Sequence, residues 1–270
     1  MSFITFAKTA LGDELAALGF ERKRGVDWFK LIDDCIWLRF RLRRFGVGLC
    51  ELNFGMQSLF SKLRSDDEEP TSYTNLHFIA GFQYSKRERA KGVERIYMHP
   101  IYNDENTDAG KKSIAHVRAI FAVIAPVLAS VSDLSSCKRA IELADYMTQY
   151  PHLTHELDSE LEQKGFTAWP PEDVFFILCK QGKYGEAAAY LKRDIIYHGE
   201  HMIRIHGHEE GNKLMESEKN RVTPYIEMIE RGETDKIEQI MRENYIRNCD
   251  LIESIFKIEI DRSKALRDLE

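Results

Sequence analysis

The sequence has no long hydrophobic run, and this absence bears on where the protein resides. Its longest apolar stretch, residues 119–131, contains Pro126 and Ser130 and is shorter than the roughly 20 residues that span a bilayer. The N-terminal residues also lack the basic region followed by an apolar segment that marks a secretory signal. We therefore expect a cytoplasmic protein that does not enter a membrane.

Two further absences concern chemistry. The five cysteines are odd in number and form no CxxC pair, so we expect reduced, mostly buried thiols rather than a disulfide framework. The sequence also lacks GxSxG, GxGxxG and the phosphate-loop motif, which mark hydrolase, dinucleotide and nucleotide sites. Catalytic residues can be scattered along a chain, so an enzyme stays open, but the sequence favours a non-enzymatic protein without a cofactor.

The residues that are present are those of a folded protein with an uneven charge. Of the 270 residues, 43% are hydrophobic and 30% are charged, which is typical of a globular chain. The net charge of −6 argues against general binding to nucleic acid. Residues 1–64 nevertheless contain eleven Lys or Arg and seven Asp or Glu residues, so this part carries +4 and the remainder −10.

The N-terminal part predicts one helix followed by an antiparallel sheet. Apolar residues lie at helical spacing in residues 3–18, and Gly19 is a natural end for this helix. A charged turn is expected at residues 21–25. Alternation of apolar and polar residues then predicts five strands, at residues 28–32, 36–45, 47–56, 76–84 and 95–98. We expect the first helix to cover one face of this sheet and the other face to be exposed.

From Ser113 onward the apolar residues follow a helical period. Helices are predicted at residues 113–131, with a kink or break near Pro126, and at 134–149, 155–164, 171–181, 185–205, 224–231 and 234–266. Residues 172–191 resemble one unit of a tetratricopeptide-like repeat, but no second copy follows at a fixed period. The predicted fold is therefore α+β, with an antiparallel-sheet domain in residues 1–110 and an all-helical domain in residues 111–270.

The N-terminal half resembles a family of bacterial proteins. Its matching residues are Leu18-Gly19-Phe20, Arg22-Lys23, Trp28-Phe29 and the alternating residues 36–40 and 49–55. Their order is similar to that of an uncharacterised family, the domain of unknown function number forty-three-oh-four. The resemblance implies an α+β bacterial domain without an established activity, and some relatives look like immunity or accessory proteins of toxin systems.

Three arginines alternate with apolar residues in the second predicted strand. Successive side chains of a strand point to opposite faces, so one set faces the core: Leu38, Phe40 and Leu42. The opposite face, predicted to be exposed, carries the candidate partner-binding residues Arg39, Arg41, Arg43 and Trp37. A predicted loop at residues 85–91 adds Arg87 and Arg89.

This arginine row has more than one interpretation. Guanidinium groups bind carboxylates and phosphates through paired donors, which favours an acidic partner. The alternative is a solvent-exposed face whose charge is balanced by Glu51 and Asn53 of the next strand. Single-stranded nucleic acid would require exposed aromatic residues between the basic ones, and only Trp37 and Trp28 qualify. We expect a non-enzymatic cytoplasmic protein that recognises an acidic protein partner, with an immunity or accessory role in a bacterial toxin system as one form of this function.

A histidine-rich segment supports the alternative function, a metal-dependent hydrolase. His198 and His201 lie one helical turn apart, and Glu209 follows them, so these residues are candidate metal ligands. The segment contains neither HExxH nor the Glu-x-x-His offset of di-iron bundles. A histidine-rich helix end at the surface is the simpler interpretation, and we expect no bound metal.

Overall fold

A computed structural model describes residues 2–45, 49–61, 107–149, 168, 171–267 and 269. The chain begins with helix α1 (Phe3–Ala17), whose first turn is capped by the Ser2 hydroxyl; this oxygen accepts a hydrogen bond from the Thr5 N–H at 3.2 Å. After the helix, Gly19 has a φ of 79°, in the left-handed region that glycine adopts without strain. The predicted first helix and its terminal glycine are thereby confirmed.

An antiparallel sheet follows, and in the described residues it has four strands. They are β1 (Glu21–Arg24), β2 (Asp27–Ile32), β3 (Ile36–Phe45) and β4 (Leu49–Ser58), in the spatial order β1-β2-β3-β4. The last three match predicted strands within two residues at each end. The prediction of a charged turn at residues 21–25 was wrong for β1, because this strand pairs with β2 and places Glu21 opposite Phe29.

The rest of the described chain is mainly helical. The helices are α2 (Asp108–Ser130), α3 (Leu134–Gln149), α4 (Pro171–Lys180), α5 (Tyr184–Glu230), α6 (Thr234–Phe256) and α7 (Ser263–Arg267). An N-terminal helix, an antiparallel sheet and a helical C-terminal region make this an α+β protein, as predicted.

Several predicted boundaries differ from the structure. Helix α2 continues through Pro126. The single helix predicted at residues 234–266 is two helices, because Lys257 adopts a φ of 54° and ends α6. The predicted strands at residues 76–84 and 95–98, like the predicted helix at residues 155–164, lie outside the described residues.

Helix α5 is a helical hairpin. Gly207 has a φ of 79° and a ψ of 173°, a combination essentially restricted to glycine, and it divides the helix into two arms of residues 184–206 and 208–230. A straight helix would place Gly199 and Met215 about 24 Å apart. Instead, a Cβ built on Gly199 would lie 2.7 Å from the Met215 Sδ atom. The two arms therefore run antiparallel and in close contact.

Both faces of the sheet are covered by helices. On one face, the Phe40 ring lies 5.4 Å from the Phe121 ring of α2. On the other face, Phe256 from the end of α6 lies 4.9 Å from the Trp37 ring and 5.2 Å from the Phe29 ring. The prediction of one exposed face was therefore wrong at these residues, because a helix distant in sequence packs against it.

The hydrophobic core is continuous across residue 110, the predicted domain boundary. Buried residues of α1 and the sheet belong to the same cluster as those of α2 to α6. Helix α4 is buried along nearly its whole length, and its residues 174–179 are apolar on all sides. The Arg118 guanidinium of α2 donates to the Ala10 carbonyl and pairs with Glu14 of α1, both at 2.9 Å. The sheet and the helices thus share one interior.

Candidate functional site

Arg39, at the centre of the predicted arginine row, is buried. Its side chain is 6% exposed, and its Nε and Nη2 atoms donate to the Asp27 Oδ1 atom at 3.2 and 2.9 Å. Its Cζ atom lies 5.8 Å from the centre of the Phe256 ring, a cation–π contact. Gly55 stands opposite Arg39 in β4 and adds no side chain to this face. The predicted exposure of Arg39 was therefore wrong.

Of the neighbours of Arg39, Trp37 is buried beneath Phe256 and Arg41 is partly exposed. Trp37 is 3% exposed and stacks on Phe29 with ring centroids 4.9 Å apart, so its predicted exposure was wrong as well. Arg41 is partly exposed, and its Nε lies 3.5 Å from the same Asp27 oxygen. Two guanidinium groups thus share one buried carboxylate.

The remaining members of the predicted surface are described only in part. Arg43 stands opposite Glu51 in the β3–β4 register, but its side chain lies outside the described part of the structure, as do Arg87 and Arg89 entirely. The alternation itself was predicted correctly, since the apolar set is fully buried: Leu38, Phe40 and Leu42. The prediction was wrong about the opposite face, because Phe256 of α6 packs against it.

The histidine segment lies around the tip of the α5 hairpin. His198 is buried, and its Nδ1 atom lies 2.7 Å from the Asp194 Oδ1 atom, one helical turn earlier. Glu209 is 88% exposed and accepts a hydrogen bond from Lys213 at 3.0 Å. The His201 side chain lies outside the described part. Among the described side chains, no group of three His, Cys, Asp or Glu residues is placed to hold a metal ion.

The described thiols are reduced and buried. They are Cys35, Cys137, Cys179 and Cys249, which confirms the prediction for these four. Burial raises the pKa of all four thiols, to about 12 for Cys35 and about 11 for Cys249. A thiol is nucleophilic only as the thiolate, so these groups are unreactive near neutral pH.

A cleft lies where the sheet meets the helical part of the chain. Its volume is about 270 Å³, and its walls come from the β2–β3 turn, the segment after β4, and helices α3, α4 and α7. Its lining includes Asp33, Cys35, Phe60, Asp133, Lys180 and Lys264. Because these residues are scattered in sequence, the cleft exists only in the folded chain.

Two lysines place positive charge in this cleft. The Lys180 Nζ atom, at the end of α4, lies 5.0 Å from the centre of the Phe60 ring and donates to the Ala265 carbonyl at 3.3 Å. Lys264 is exposed on α7. Ammonium groups of this kind form charge-assisted hydrogen bonds with carboxylates and phosphates. The cleft therefore has the donors that an anionic group requires.

The cleft is also lined by two carboxylates, those of Asp33 and Asp133, which equal its two lysines in number. Asp133, just before α3, accepts a hydrogen bond from the Ser136 N–H at 2.8 Å, and hydrogen bonds from Ser136 lower the pKa of this carboxyl. Asp133 thus caps the start of α3. Asp33 has a positive φ in the β2–β3 turn, a conformation that aspartate tolerates better than most residues.

Helix α6 holds two walls of the cleft in place. The Tyr245 hydroxyl donates to the Asp34 carbonyl at 2.9 Å, and the Asn244 amide donates to the Phe60 carbonyl at 3.0 Å. The buried Asn248 amide donates to the carbonyls of Leu59 and Ser61 at 2.8 and 2.7 Å. The turn and the segment after β4 are therefore fixed by side chains from one helix.

Sequence reasoning did not find this cleft, because its lysines belong to no motif. Lys180 and Lys264 lie on separate helices, and only the packing of α4 and α7 brings them together. One signal was present in the sequence: Lys180 directly follows a run of buried residues from Asp173 to Cys179. Such a charge marks the point where a buried helix reaches the surface.

Comparison with known proteins adds no assignment. No family model, no curated protein and no solved structure matches this chain. The resemblance of the N-terminal half to the uncharacterised bacterial family stays a prediction. Within the described part of the chain, each helix is too short or too polar to cross a membrane.

Proposed function

We propose that this chain is a non-enzymatic cytoplasmic protein that binds an acidic segment of another protein, with the cleft as its contact site. The observation that carries the proposal is that Lys180 and Lys264, from separate helices, line one cleft of about 270 Å³. The proposal keeps the acidic partner expected from the sequence and moves the contact from the buried Arg39 to these lysines.

The non-enzymatic part of the proposal rests on the chemistry of the groups in the cleft. The Cys35 thiol has a pKa of about 12, mainly because it is buried, so it is protonated near pH 7 and is a poor nucleophile. The Asp133 carboxylate is engaged by the first turn of α3. These groups support binding better than proton transfer or nucleophilic attack.

A peptide titration tests the proposal. The probe is a blocked tetraglutamate peptide, compared with the blocked tetraglutamine peptide of the same length. We expect saturable binding of tetraglutamate only, measured by calorimetry. Changing Lys180 or Lys264 to Ala should weaken this binding about tenfold each, since one charge-assisted hydrogen bond is lost in each case.

Lys213→Ala is the matched control. Lys213 is an exposed lysine on the second arm of the α5 hairpin, paired with Glu209, and its replacement should leave binding unchanged. Equal binding of the two peptides, or an unchanged affinity of the Lys180→Ala/Lys264→Ala variant, would show that the proposal is wrong. If citrate binds at the lysines and tetraglutamate does not, the site takes small carboxylates and the protein partner is excluded.

A further inference from the structure

The wall of the cleft that carries Lys264 is a short segment at the end of the described chain. Residues 257–267 form the C-terminal strap. The strap leaves α6 at Lys257, whose φ of 54° turns the chain away from the helix axis. Helix α7 follows a non-helical stretch that begins at Lys257. Ile260 and Ala265 are the buried residues of the strap, each 4% exposed. Ile258 and Leu266 are partly buried against the core, and six of the eleven strap residues are exposed.

A small ionic cluster fastens the strap to α6. The Arg262 Nη1 atom lies 2.7 Å from the Asp250 Oδ1 atom, and the Nη2 atom pairs with Glu253. The same Glu253 side chain accepts a hydrogen bond from the Ile260 N–H at 2.8 Å. Arg262 and Glu253 thus link the strap to α6, while Lys180 of α4 donates to the Ala265 carbonyl of the strap.

The strap brings charges of both signs to the β2–β3 turn. The pKa of Asp34 is raised, first by burial and then by the carboxylates of Asp261 and Asp33, while Lys264 acts in the opposite direction. Asp261 of the strap thus repels the carboxylates of the turn, whereas Lys264 of the same strap attracts them. Segments with few buried contacts open locally at a much lower free energy than the whole fold.

We infer that the C-terminal strap is a movable wall, and that an acidic ligand closes it by bridging Lys264 on the strap and Lys180 on α4. This inference rests on the proposed function and adds a mode of regulation to it. Because coupling between two equilibria is reciprocal, a ligand that favours the closed strap binds more weakly to a protein whose strap is loosened. A change at Arg262, which lies outside the cleft, then alters the affinity of the cleft.

Hydrogen exchange measured by mass spectrometry on the full chain tests the coupling. We expect saturating tetraglutamate to slow exchange in residues 257–267 about tenfold, within the usual range of coupling between sites. The Arg262→Ala variant should exchange faster in this segment and bind the peptide about tenfold more weakly. The control is Arg267→Ala, the same change on the same strap, because Arg267 donates to the Ser263 carbonyl within the strap itself.

The outcomes separate the two proposals. Tetraglutamate that binds the unmodified chain without slowing exchange in the strap overturns the coupling and leaves the proposed function standing. Tetraglutamate that does not bind at all overturns both. Equal exchange rates and equal peptide affinities in the Arg262→Ala and Arg267→Ala variants would also contradict the role of Arg262 in holding the strap. If Arg262→Ala does not fold, the unmodified chain with and without peptide decides the question.

Discussion

Asp27 is the residue on which the polar interior of the sheet depends. Its Oδ1 atom contacts two guanidinium groups, those of Arg39 and Arg41, and its side chain is 8% exposed. A buried ion pair adds little net stability compared with an apolar pair, but removing one partner leaves a buried charge uncompensated. Removing Asp27 therefore lowers stability because the buried Arg39 guanidinium loses this carboxylate.

We predict that Asp27→Ala lowers the free energy of unfolding by about 3 kcal/mol or more, because Arg39 stays buried without this carboxylate. Urea denaturation measures the change. The double variant Asp27→Ala/Arg39→Met should recover part of the loss, since it removes the buried charge. Glu230→Ala, which removes the exposed partner of Lys192, is the control and should cost less than about 1 kcal/mol. A double variant no more stable than Asp27→Ala would contradict this account.

For individual residues of β3, the sequence predicted which side chains point into the core. It did not predict which helix packs against the opposite face of the strand. Strand alternation is a local property, so the burial of Leu38, Phe40 and Leu42 was predictable from neighbouring residues. The burial of Arg39 depends on Phe256, which no local pattern connects to β3. The lysines of the cleft escaped prediction for the same reason.

The α5 hairpin contains glycines inside its helical arms, where glycine is unfavourable. Its two arms approach so closely that a Cβ on Gly211 would lie 2.5 Å from the Cα atom of Ile203. Gly211 therefore sits where glycine is required by space, and Gly207 where it is required by backbone angles. The close neighbour of Gly199 is the flexible Met215 side chain, which can move. The same glycines discourage a helix prediction, because glycine has low intrinsic helix propensity. Residues 206–223 were consequently missed.

We predict that Gly211→Ala destabilises the protein by about 2 kcal/mol, because the clash with the Ile203 backbone outweighs the gain in helix propensity. Thermal unfolding followed by circular dichroism measures this. Gly12→Ala, in the interior of α1 with no atom within 4 Å of the new Cβ, is the matched control and should be neutral or stabilising by up to about 1 kcal/mol. Similar losses in both variants would mean that the close approach is not the cause.

At the scale of the whole molecule, one hydrophobic core spans the domain boundary that was predicted at residue 110. Buried residues of the sheet contact α2 on one side and α6 on the other. Two domains with separate interiors unfold separately, whereas a single interior unfolds in one transition. The fold class was predictable from the change of period along the chain, but the mutual burial of the two parts was not.

We predict a single unfolding transition for sheet and helices. In a Trp169→Phe variant, the remaining tryptophans are Trp28 and Trp37, which lie in the sheet, so fluorescence reports on the sheet while circular dichroism reports on the helices. The two urea midpoints should coincide, because exposing the sheet breaks the core of the helices. The unsubstituted chain is the control for the effect of the replacement. Separate midpoints would favour the division into residues 1–110 and 111–270.

The position of Phe256 has a consequence for the order in which the protein matures. A ribosome makes the sheet early, but the ring that shields Trp37 and Phe29 is translated only after helices α2 to α5. Until then the nascent chain displays an aromatic surface beside an unshielded arginine, the type of exposed patch that chaperones bind and that promotes aggregation. Shielding of this face of the N-terminal sheet therefore begins only after residue 256 has been synthesised.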